Sequence, residues 1–123
     1  MNGYATNHAG NVFLKRWLYD STLYLSLHTA MPSGSELSGG GYVRKATTWT
    51  YPANRTTALK TTVKWTSLPV ASVSWYGLWS AAFGGTLRFA LPAITSATDF
   101  TILPVTVGPG FTVHAGELVI GPI

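Results

Sequence analysis

The chain contains no cysteine. Disulfides, thiol nucleophiles and Cys-based zinc or iron–sulfur sites are thereby excluded, and the absence fits synthesis in a reducing cytoplasm. Charge is scarce as well. Charged residues make up 10% of the 123, against roughly 25% in an ordinary soluble domain. The only carboxylate side chains are Asp20, Glu36, Asp99 and Glu117. None lies within a few residues of another, so no paired-acid motif is present. The histidines His8, His28 and His114 fall in three separate segments with no ligand spacing. No Gly-x-Ser-x-Gly elbow occurs, and Gly39-Gly40-Gly41 lacks the Lys-Ser/Thr that completes a phosphate loop. No nucleophile, base and orienting group can be named together, so no enzymatic activity, metal or cofactor is expected. No apolar run approaches the roughly 20 residues of a membrane helix. No repeat of roughly 20–50 residues argues for a solenoid or propeller. The opening residues, Met1-Asn2-Gly3-Tyr4, show neither the charged nor the apolar region of a signal peptide.

What is present is apolar and aromatic. Hydrophobic residues make up 46% and aromatic ones 13%, with five tryptophans. A chain of this length is expected to form a single domain over 1–123. The net charge of +4 is spread along the chain rather than clustered, which argues against nucleic acid as a partner. Residues 73–91 (VSWYGLWSAAFGGTLRFAL) organise the reading. Val73, Trp75, Gly77 and Trp79 alternate with Ser74, Tyr76, Leu78 and Ser80. Gly84-Gly85 supplies a reversal, and Leu87, Phe89 and Leu91 alternate again. The pattern predicts a core hairpin built on Trp75, Gly77, Trp79 and Phe89. Gly77 is expected to let a neighbouring backbone or ring approach closely.

Around this hairpin, 1–20 reads as an arm with one short helix near 11–19, where Phe13 and Trp17 stack at i, i+4 and Asn7 or Asn11 caps the start. Residues 23–29 (LYLSLHT) alternate with Leu23, Leu25 and Leu27 inward. A long loop of breakers fills 30–41; loops of that length in small domains are functional or order against a partner. Strands follow at 42–50, within 57–68, at 100–107 with Pro104 interrupting, and near 117–120. Many short strands with closely spaced turns predict an all-β protein, a β-sandwich or jelly roll with one short N-terminal helix. Trp49, Trp65, Trp75 and Trp79 exceed what so small a core hides, and surplus Trp and Tyr belong at protein interfaces.

Several runs resemble a family of small phage virion structural proteins, variously described as tail-fibre-like or capsid-decoration-like. They are Leu27-His28-Thr29, Glu36-Leu37-Ser38-Gly39-Gly40, Tyr42-Val43-Arg44, Gly77-Leu78-Trp79 and Gly84-Gly85. The resemblance covers the chain from about Val12 and is weakest beyond Pro92. It implies a virion structural protein made in the host cytoplasm, and it names no catalytic residue. Small size, low charge, surplus aromatics and long loops suit a capsid decoration protein bridging capsid subunits. A tail or tail-fibre component and, from another class, a glycan-binding module are the alternatives. The expected partners are copies of the chain itself and another virion protein such as the major capsid protein, with no membrane. Trimeric assembly is favoured by the resemblance alone. Glu36, Leu37, Tyr42 and Arg44 form the candidate interface loop.

Overall fold

The computed structural model describes residues 7–31, 35–95, 102–103 and 105–122. Among them are one helix and twelve short strands, so the protein is all-β apart from its N-terminal helix. The strands form one four-stranded sheet and four two-stranded pairs. Contacts gather the described residues into two units, one from within 1–22, 47–63 and 113–123, the other from within 23–46 and 64–112.

The second unit is built on β1 (Leu23–His28). Its neighbour β6 (Trp75–Trp79) runs antiparallel, and β6 in turn pairs antiparallel with β7 (Leu87–Pro92). With β2 (Lys45–Thr47) on the far side of β1, the strand order is β2-β1-β6-β7. The alternating leucines fix the register. Leu25 lies opposite Leu78 and Leu27 opposite Tyr76, and all four are buried. A slip by one residue would turn this set to the other face. Ser26 and His28, expected on an outer face, are buried too, so β1 is covered on both sides.

The β6–β7 hairpin forms, with Gly84 and Gly85 at positive φ in its turn. Its interior differs from the expectation. Val73 belongs to a separate strand, β5 (Ala71–Val73), which pairs with β10 (Val105–Val107). Phe89 pairs with Leu78 and shares the leucine face, while Gly77 pairs with Ala90 and faces the opposite way. Trp75 and Trp79 are half-buried; the fully buried positions of β6 are Tyr76, Gly77 and Leu78. The reason is register: β1 presents Leu25 and Leu27, and these match Leu78 and Tyr76 rather than the tryptophans. Trp65, in β4 (Val63–Trp65), is 1% exposed. Its Nε1–H donates to the Val43 carbonyl at 2.8 Å, and its ring stacks on Phe111. β4 pairs with β11 (Phe111–Val113), and β8 (Ile94–Thr95) with β9 (Ile102–Leu103).

Only residues 45–47 of the expected strand 42–50 form a ladder; Trp49 makes a single bridge to Leu59. Of the long loop 30–41, residues 32–34 lie outside the described residues. The part from Ser35 onward is pinned: Glu36 bridges His28, the Leu37 N–H donates to the Leu27 carbonyl at 2.9 Å, and Leu37 is buried.

In the first unit, helix α1 (Asn7–Leu14) runs on into a π-helical turn over Lys15–Tyr19, closed by the Asp20 N–H on the Lys15 carbonyl at 2.7 Å. The helix thus starts four residues before the expected Asn11. Asn11 does not cap it; its Oδ1 accepts the Arg55 N–H at 2.8 Å. Leu14 and Leu18 are fully buried, and Phe13 and Trp17 stack as the spacing predicts. β3 (Thr57–Ala58) pairs with β12 (Val119–Ile120).

Candidate functional site

Glu36, Leu37, Tyr42 and Arg44 come together in one polar cluster of the second unit. Glu36 and Leu37 are held beside β1 by the backbone contacts given above. Gly39 and Gly40, both at positive φ, turn the chain, and Gly41 then passes so close to Ser67 that a Cβ there would lie 2.7 Å from the Ser67 Cβ. This returns Tyr42 and Arg44, two positions apart, to the Glu36 side.

The Glu36 carboxylate is fully engaged on one oxygen. Oε2 accepts the Tyr42 hydroxyl at 2.5 Å and Arg44 Nε at 2.9 Å, while Oε1 accepts Arg44 Nη2 at 2.9 Å. The Tyr42 oxygen also accepts the Leu27 N–H at 3.2 Å. Arg44 Nη1 donates to the carbonyls of Ala81 and Gly84 at 3.0 and 2.7 Å. Its guanidinium lies 4.1 Å from the centre of the Trp79 ring. The Arg44 side chain is only 9% exposed, so this bidentate, ring-stacked pair is screened far less than a surface salt bridge. One arginine thereby ties the 35–44 segment to the 81–84 turn.

Beneath it the network continues inward. Trp79 Nε1–H donates to Ser26 Oγ at 2.7 Å, and Ser26 Oγ lies 2.6 Å from His28 Nε2 and 3.3 Å from the Gly77 carbonyl. The Trp79 indole folds back over Gly77. A Cβ at that position would meet Ser26 Oγ at 2.5 Å and Trp79 Nε1 at 2.8 Å. His28 Nδ1 is buried without a partner among the described residues. Donor counting assigns the tautomer. With the proton on Nε2, Ser26 Oγ accepts from both His28 and Trp79 and donates to Gly77, and only a lone pair on Nδ1 is left over. The other tautomer would leave a buried N–H unpaired, which is rarer and costlier.

Burial pushes the His28 imidazole below its ordinary 6.5, with Glu36 opposing and Arg44 reinforcing. Burial would raise the Glu36 carboxyl, but the Arg44 and Tyr42 hydrogen bonds outweigh it and hold the group below 4.5. Burial and then the Glu36 carboxylate push the Tyr42 hydroxyl up. Both His28 and Glu36 therefore weaken the fold in acid. Below pH 6.5 the unfolded chain takes up a proton at His28 that the folded chain resists, and below pH 4.5 the same holds for Glu36. The urea midpoint is expected to fall as pH drops through 6.5 and again below 4.5. In a His28→Gln protein the first fall should shrink; a midpoint flat across both ranges would contradict the assignment.

A surface depression of about 330 Å³ opens beside the cluster. Gly39, Tyr42, Arg44 and Phe83 are among its lining residues, and the Phe83 ring is 86% exposed. Trp75 and Phe89 stand outside this arrangement. Sequence reasoning missed the parts played by Ser26, His28, Trp79 and Phe83. The first two carried a signal, since two polar residues at i, i+2 within a leucine strand share a face. Ser26 and His28 are sealed at 0% and 1% exposure, so the cluster holds structure and offers no reachable nucleophile. Among the described residues no group of three metal-ligating side chains occurs, and no helix is long and apolar enough to cross a membrane.

No curated protein sequence matches the chain. A family model described as Podophage GP4 fiber I protein gp80 matches residues 1–121, nearly the whole length. The all-β fold, the pinned Glu-Leu-Ser-Gly-Gly loop and the Gly-Leu-Trp strand agree with the resemblance drawn from the sequence, and the chain belongs to this family of phage fibre proteins, structural proteins of the virion.

Proposed function

We propose that the chain is a non-enzymatic subunit of a phage tail fibre, assembling as a homotrimer and attaching to another virion protein. The observation that carries this reading is the fibre family matched over 1–121. It favours the tail over the capsid-decoration expectation, which rested on size, charge and loops that a fibre component shares. One feature of the fold supports a role in assembly. Apolar side chains stay exposed in both units: Val12, Phe13 and Tyr51 in the first, Met31 and Val70 in the second. Such surface, on a chain with 10% charged residues, is what copies bury against one another. A closed ring of copies satisfies each apolar patch and avoids runaway polymerisation.

Light scattering on the purified protein is expected to give three times the 13.2 kDa protomer mass. Quantitative mass spectrometry of purified virions should find a tail-scale copy number that co-purifies with isolated tails. A monomer in both solution and particle overturns the assembly, and a capsid-scale copy number on tail-less heads overturns the fibre assignment.

A further inference from the structure

Hydrogen-bond bookkeeping in the Glu36–Arg44 pair leaves two groups over. A carboxylate offers about four lone-pair sites and a guanidinium five N–H donors. Glu36 uses two sites on Oε2 and one on Oε1. Arg44 uses Nε, both hydrogens of Nη1 and one of Nη2. Among the described residues this leaves one lone pair on Oε1 and one N–H on Nη2. The two atoms are 2.9 Å apart, so acceptor and donor sit side by side at one edge of the pair. Both residues line the 330 Å³ depression, at the lower end of ligand-pocket size. On the same depression stands Phe83, 86% exposed on the Gly84-Gly85 turn.

We infer that this depression is a binding site for a neutral sugar. The pairing of groups selects the chemistry. An anion would meet the Glu36 carboxylate and a cation the Arg44 guanidinium, whereas a sugar carries neighbouring hydroxyls, one to donate to Oε1 and another to accept from Nη2. The exposed Phe83 ring offers an apolar face for the C–H side of a pyranose, the second half of an amphipathic ligand. The Ala81, Gly84 and Trp79 contacts hold Arg44 in place before any ligand arrives, so little ordering cost falls on binding. The Glu36 side chain is 26% exposed and lines the depression. This site is independent of the fibre reading, since it rests on the second unit alone.

The test is a titration of ¹⁵N-labelled protein with glucose, galactose and mannose, with sodium phosphate as a separate arm. At least one sugar is expected to bind with a Kd of about 1 mM, the range for a single small ligand with few contacts. Amide shifts should be confined to residues 36–44 and 81–86. Phe83→Ala, at an exposed position, should keep the melting temperature and weaken binding roughly threefold to tenfold, and Phe83→Tyr should restore it. No shift with any of the three sugars, shifts elsewhere in the chain, tighter binding of phosphate, or a Phe83→Ala protein that binds as wild type would each overturn the assignment.

Discussion

Trp79→Ala is expected to lower the unfolding free energy by about 3 kcal/mol, the low end of the range for truncating a packed tryptophan. For a chain of this length that is roughly 10–15 °C of melting temperature. The low end applies because the ring is half-buried and part of its worth is polar. Three contacts end together: the indole N–H on Ser26 Oγ at 2.7 Å, the stacking against His28 at 6.3 Å, and the face beneath the Arg44 guanidinium at 4.1 Å. Loss of the ring also opens Ser26 and His28 to water, so the acid sensitivity of His28 should weaken in the same protein. Trp79→Phe separates the parts. It keeps a ring under Arg44 and removes only the N–H donor, at about 1 kcal/mol. Thermal unfolding of both variants checks this. A Trp79→Ala protein that melts with wild type would mean that Arg44 stands without its ring.

The sequence carried this destabilisation for a different reason. Alternation over 73–91 placed Trp75 and Trp79 in the core because large aromatics dominate any apolar count. Burial instead went to Tyr76 and Leu78, whose partners Leu27 and Leu25 lie on another strand. Periodicity reports which residues share a face, never which face the rest of the chain covers. The leucine alternation of 23–27 was legible, because it is a local period of two with polar residues between. The helix start was not. Asn11 looks like a cap, but its side chain is taken by the Arg55 backbone, a partner 44 residues away. The cluster was half legible: Glu36, Tyr42 and Arg44 stood out as a loop and the strand after it, while the ring and carbonyls that complete it come from 79–84, beyond the reach of any local pattern. Space over Gly77 was expected. The identity of its occupant, the indole two residues further on, follows only from the fold of the hairpin.

Arg44→Ala should cost about 3 kcal/mol, as removal of one partner from a largely buried pair does. The magnitude comes from what is left behind rather than from the attraction lost. Glu36 would keep only the Tyr42 hydroxyl on a carboxylate that burial already disfavours, and the Ala81 and Gly84 carbonyls would lose the Nη1 donor they share. The turn that carries Phe83 would then be joined to the 35–44 segment by packing alone. Arg44→Lys is expected to recover less than half of the loss. An ammonium is a point charge on a flexible stem and cannot reach both carboxylate oxygens and both carbonyls. The effect should change little between low and high salt, because a side chain 9% exposed is poorly screened. Glu36→Gln alone should cost less than Arg44→Ala, since the amide retains an acceptor for Arg44. Combining Glu36→Gln with Arg44→Ala should then cost less than the sum of the two. Urea unfolding of the cycle decides it. Strictly additive losses, or a loss that vanishes in high salt, would reduce the pair to an ordinary surface salt bridge and leave the 35–44 segment held by Leu37 and the backbone bonds to β1.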